Sequence, residues 1–160
     1  MKEQAKRTLE LSRGHLATLS NELISDLNEL VAGSWGITDP DEEEEVASVD
    51  IEIFAQGYAL AAYPMDDYDS QLGYKPLLTN LPGGPLGDSE FCLDGDIYDF
   101  DNEEDMKEMN EFDKAQNDLF FEWFLECWKQ VDTSDLETPM TISFHDSFRS
   151  YDLVNQKWTK

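Results

Sequence analysis

Leu16, Leu19, Leu23, Ile24, Leu27, Leu30 and Val31 recur at helical spacing between Ser20, Glu22, Asp26 and Glu29, which predicts an amphipathic helix over about 15–32. Gly33 supplies a stop, and Gly14, a weak helix former, sets the expected start, although residues 3–12 also tolerate helix. Asn102 precedes Glu103, Glu104 and Asp105, an N-cap followed by anions that complement the positive end of a helix dipole. The helix it opens is expected over about 103–131. In its second half Phe120, Trp123, Phe124, Cys127, Trp128 and Val131 repeat at helical spacing, with Phe121 and Leu125 on a neighbouring stripe.

The period changes to two at Val49, Ile51 and Ile53, which alternate with Asp50 and Glu52 as in a half-buried strand. Ala55, Gln56 and Gly57 are expected to turn the chain, and residues 58–63 to return as the second strand of a hairpin, ending before Pro64. Residues 64–90 hold Pro and Gly without a convincing period and are expected to be irregular, apart from a short strand at 74–78. Met140, Ile142 and Phe144 alternate as another strand, and the segments around Tyr151 and Trp158 suggest a hairpin about Asn155 and Gln156. With no internal repeat and no linker, the expected architecture is a single α+β domain over 1–160. An antiparallel sheet of about 3–5 strands is packed on one face by helices 15–32 and 103–131.

Charge narrows the function. The chain carries 36 Asp and Glu against 11 Lys and Arg, a net charge of −25, yet 40% of its residues are hydrophobic. It therefore reads as globular and strongly acidic at once. Binding to nucleic-acid phosphates or anionic membranes would meet repulsion at every approach. No apolar run is long enough to span a membrane, and no leader-like stretch follows Met1 and Lys2, so the expectation is a cytoplasmic protein. Cys92 and Cys127 are too few for a disulfide framework and are expected to be reduced thiols.

The acids are unevenly placed. Residues 88–113 hold twelve of them against Lys107 alone, and 39–45 form a second run expected to be a solvated loop. The only basic segment is 1–13, with Lys2, Lys6, Arg7 and Arg13. Calcium-loop frames opened at Asp94 or Asp99 place an acid where the turn needs Gly and lack the closing Glu, so neither fits. The Gly- and Pro-rich stretch at 81–87 lacks the Lys and Ser/Thr of a phosphate loop.

His145 and Asp146 suggest a divalent-metal hydrolase as an alternative, and an adaptor or assembly subunit using helix 15–32 is another. Pairing Cys127 as a nucleophile with His145 is disfavoured, because burial beside Glu126 raises rather than lowers a thiol pKa. The leading expectation is a non-enzymatic module, without a cofactor, that neutralises a basic protein such as a toxin or a nucleic-acid-binding factor. Bacterial immunity proteins and DNA-mimic inhibitors are precedents by composition alone. The expected partner-binding residues are Asp94, Asp96, Asp99, Asp101, Glu103, Glu104, Asp105 and Glu108, with Phe121 and Leu125 as an apolar patch.

Overall fold

In the computed structural model, residues 1–54, 59–81 and 84–159 are described. The expected turn at 55–57, the first residue of the return strand, and Pro82 and Gly83 lie outside them. Helix α1 spans Glu3–Val31, twelve residues earlier than the leucine pattern suggests. Gly14 does not interrupt it, because Ala5, Thr8 and Ser12 continue the buried stripe of Leu16, Leu19 and Leu23. Thr8 and Ser12 fit that stripe by returning their hydroxyls to backbone carbonyls one turn back, Gln4 and Thr8 respectively.

A Cβ at Gly14 would meet nothing within 4 Å. Gly14→Ala is therefore expected to stabilise the protein by about 0.5–1 kcal/mol, read as a higher denaturation midpoint with unchanged m. At the other end, Gly33 takes φ +98°. Its N–H reaches the Leu30 carbonyl while the Ser34 N–H reaches that of Glu29, a Schellman closure.

Strands β1 (Ser48–Phe54), β2 (Ala59–Met65) and β3 (Lys75–Leu77) precede helix α2 (Glu103–Trp128), which is followed by β4 (Met140–Phe144), β5 (Ser150–Asp152) and β6 (Lys157–Thr159). The fold is α+β, with six strands in the order β3-β2-β1-β4-β5-β6. Two features depart from the sequence reading. There are six strands rather than three to five, and β1 pairs with β4 in parallel, Ile51 opposite Ile142. The parallel pair follows from connectivity: β2, β3 and all of α2 intervene between β1 and β4, a crossover long enough to re-enter the sheet in the same direction.

β2 also runs through Pro64 to Met65. Since β3 covers only 60–62, no β3 carbonyl needs the N–H that Pro64 lacks. The segment 64–90 is likewise better tied than its composition suggests. Asp66 Oδ1 accepts from the N–H groups of Tyr68 and Ser70, and Asp26 on α1 accepts from the Leu78 N–H at 2.8 Å. Gly36 and Gly73 permit a backbone crossing, with the Tyr74 N–H on the Gly36 carbonyl. A Cβ on Gly36 would lie 2.2 Å from the Tyr74 oxygen.

α2 keeps its expected start, the Asn102 side chain accepting from the N–H groups of Glu104 and Asp105, and ends at Trp128 rather than near 131. It runs parallel to α1: Lys2 meets Asp105, Ser12 meets Gln116 and Ser20 meets Trp123. Both helices bury one stripe against one face of the sheet, where Leu23, Leu27, Phe120 and Phe124 join Val49, Ile51, Ile53, Leu60, Met140 and Ile142 in a single core. The other face, bearing Asp50, Glu52, Tyr63 and Thr141, carries no helix among the described residues. No helix among those residues is long and apolar enough to cross a membrane.

Candidate binding surface

The acids expected to meet a partner lie on the loop ahead of α2 and on its first turns, which pack on the first turn of α1. Tyr98, 5% exposed, anchors the loop. The Asp99 N–H binds Asp105 Oδ2 at 2.8 Å, the Asp101 N–H binds Asp99 Oδ1 at 2.9 Å, and Gln4 Nε2 donates to Asp94 Oδ2 at 3.0 Å. Lys2 pairs with Asp105 at 2.9 Å. The loop is thus fixed by its neighbours rather than trailing as a like-charged tail.

This arrangement divides the eight predicted acids. Asp94, Asp96, Asp99, Asp101, Glu103 and Glu104 are exposed. None of these six enters an ion pair among the described residues. Asp105 and Glu108 turn inward. The Asp99 N–H, and then Lys2, hold the Asp105 carboxyl below its ordinary range. Glu108 Oε1 lies 3.6 Å from the Met1 amino nitrogen.

Phe121 and Leu125 do not join this surface. They lie about 25–30 Å farther along α2. Both are half-buried against the core, and the Phe121 ring stacks on Trp158 and meets Tyr151 edge-on. The aromatic side chain that does sit among the carboxylates is Phe100, 63% exposed between Asp99 and Asp101. Its sequence signal was an aromatic residue stranded in an acidic stretch with no helical or strand period to bury it.

The second acidic run is not a plain loop. Pro40–Glu45 form a short 3-10 helix, opened by Asp39, whose carboxylate accepts from the Asp41 N–H. It lies between Ile37, bridged to Gly73, and Ala47, bonded to Met65, beside the C-terminal end of α1, where Lys75 pairs with Glu29. With 29 residues, α1 is about 43 Å long, so the two acidic tracts occupy its opposite ends. The net charge spread over 9572 Å² gives one charge per roughly 380 Å², against about one per 110 Å² for duplex DNA. Any match to nucleic-acid charge density is therefore local to the 94–104 surface.

The remaining candidates are dispersed. His145 Nδ1 hydrogen-bonds Glu52 Oε2 at 3.0 Å and its ring packs on Phe54, on the open face of the sheet. Cys127 is buried in the helical layer with its Sγ toward the Ser20 carbonyl, and burial, reinforced by Glu126, pushes its thiol pKa up. The two do not form a nucleophile and base pair. Asp50 on the open face also has its carboxyl raised, by burial first, although the Thr141 hydroxyl opposes the shift. Among the described residues no group of three or more His, Cys, Asp or Glu side chains converges as a metal site. Leu16, Leu23 and Leu30 are buried within this one chain, so the helix proposed as an adaptor's partner-facing coil is committed to the core.

The His145–Glu52 pair carries a pH dependence. Its hydrogen bond to Glu52, assisted by the Asp146 charge, raises the imidazole above its ordinary 6.5. A raised folded-state value contributes stability that is fully present below pH 6.5 and is lost as pH rises through the folded value. Thermal melts of the wild type and His145→Gln are expected to differ most below that pH and to converge at alkaline pH; a gap independent of pH would contradict the pairing.

No protein-family model, no curated protein and no solved structure matches this chain.

Proposed function

We propose that this protein is a non-enzymatic acidic binding module that neutralises a basic protein, such as a nuclease-type toxin or another nucleic-acid-binding factor. One observation carries the reading: six exposed carboxylates, in no ion pair among the described residues, lie on both sides of the exposed Phe100 along a loop and the first turn of α2 that are anchored by the buried Tyr98 and the Asp99–Asp105 hydrogen bond. Concentrating like charge in this way costs folding stability through self-repulsion, which favours a use for the charge itself. Carboxylates of this kind speed encounter with a cationic surface and reject anionic competitors, while an exposed aromatic ring supplies short-range affinity. The loop needs little ordering on binding, which spares the affinity that a flexible tail would lose.

The test is capture from the native cell with the full chain as bait. A basic protein is expected to be retained at low salt and released at about 0.5 M salt, where charges more than several ångströms apart are screened. Phe100→Ala is expected to weaken the complex about 30-fold, the scale of an interface hot spot. Retention indifferent to both salt and Phe100→Ala would overturn the proposal.

A further inference from the structure

The Lys2 ammonium occupies a small receptor with three walls. Its Nζ donates to the Ile97 carbonyl, pairs with Asp105 Oδ1 at 2.9 Å and lies 4.4 Å from the centroid of the Tyr98 ring. A carbonyl oxygen, a carboxylate and the electron-rich face of an aromatic ring converging on one point suit a primary ammonium: the first two take its hydrogens and the third its charge.

The walls have anchors other than Lys2. Asp105 is held by the Asp99 N–H and by its place in the first turn of α2, and Tyr98 by near-complete burial. Beside these walls, the Tyr98 hydroxyl is shielded from solvent near the Lys2 backbone N–H and the Glu108 carboxylate, and Glu108 Oε2 is buried without a hydrogen-bond partner among the described residues. Other lysines are held differently: Lys6, Lys114 and Lys129 make exposed pairs with carboxylates one turn away on their own helix.

We propose that the Ile97 carbonyl, the Tyr98 ring and the Asp105 carboxylate form a lysine-binding subsite, that Lys2 fills it in cis, and that a lysine of a basic partner enters by displacing Lys2. The inference rests on the acidic-binding reading above and deepens it, since the subsite adjoins Asp99, Phe100 and Asp101. Lys2 is then a tethered competitor. Apparent affinity falls by the fraction of time the subsite is free, so an occupancy of about 80–90% masks about five- to tenfold of the affinity for an incoming lysine.

The test uses the full chain and an octalysine peptide at low ionic strength. Lys2→Ala is expected to tighten binding about five- to tenfold. Lys6→Ala, which makes the same change in net charge, is expected to shift it less than about twofold. In the unsubstituted protein, the NMR ring-current shift that Tyr98 imposes on the Lys2 ε-methylene should be lost when octalysine is added, because the displaced ammonium leaves the ring face. Equal effects of the two substitutions, or a Lys2 signal unmoved at saturating peptide, would overturn the subsite and leave the acidic-surface reading standing. Absence of salt-sensitive octalysine binding by every form would overturn both.

Discussion

Replacing Asp94, Asp96, Asp99 and Asp101 together with Asn is expected to weaken the complex with the basic partner by about 10- to 100-fold at low salt while leaving the fold intact. Each is an exposed charge without an ion-pair partner among the described residues. Such a charge contributes about 0.2–1 kcal/mol when it meets an opposite charge, so four removed together account for the range. Most of the loss should appear as slower association, because these groups act at a distance before contact. Asn keeps the Oδ1 acceptor that caps the Asp101 N–H and the oxygen that receives Gln4, so the loop geometry survives. Glu103 and Glu104 remain to complement the α2 dipole. With four fewer like charges, thermal stability should hold or rise. Parallel measurement of association kinetics and melting separates this outcome from unfolding, which would lower both.

Phe120→Ala is expected to have the largest effect on the fold, about 3–5 kcal/mol. Its ring is fully buried beneath α2 in the single core that joins α1, α2 and the sheet, with Trp123 meeting it edge-on at 5.3 Å between centroids. Truncation opens a cavity between layers that α2 cannot fill by moving, because Gln116 and Trp123 pin the helix to α1 through Ser12 and Ser20. Domains of this size have about 5–15 kcal/mol in total, so the loss consumes a large share. Urea denaturation of both proteins checks it. A shift below about 1 kcal/mol would mean that the layers repack freely.

The sequence made the two helices and the central hairpin legible because each buries one side against one core, and that one-sidedness leaves a period of 3.6 or 2. It was less informative at Gly14, where an intrinsic cost of about 1 kcal/mol is outweighed by tertiary burial on either side. Strand direction was not legible either. Met140, Ile142 and Phe144 alternate identically in a parallel or an antiparallel pair, and only the path through α2 sets the direction. The short strand expected at 74–78 forms as β3, but the ties of the rest of 64–81 escaped because their order comes from single contacts, such as Leu78 to Asp26, which leave no period.

The acidic surface was legible as a tract, but its orientation was not. Asp105 and Glu108 read like their neighbours and yet turn inward toward Lys2 and Met1. Phe121 was singled out because it lies beside a core stripe, and that proximity is why the fold uses it against Tyr151 and Trp158. Phe100 belongs to no stripe and is left to solvent among the acids.

The most direct measurement is the slope of log affinity against log salt for the captured partner, taken for the parent chain and for the form with Asn at 94, 96, 99 and 101. A recognition device made of carboxylates predicts steep weakening with salt in the parent and a clearly shallower slope after neutralisation. Parallel lines of equal affinity would contradict it, because the surplus charge would then take no part in choosing or holding the partner.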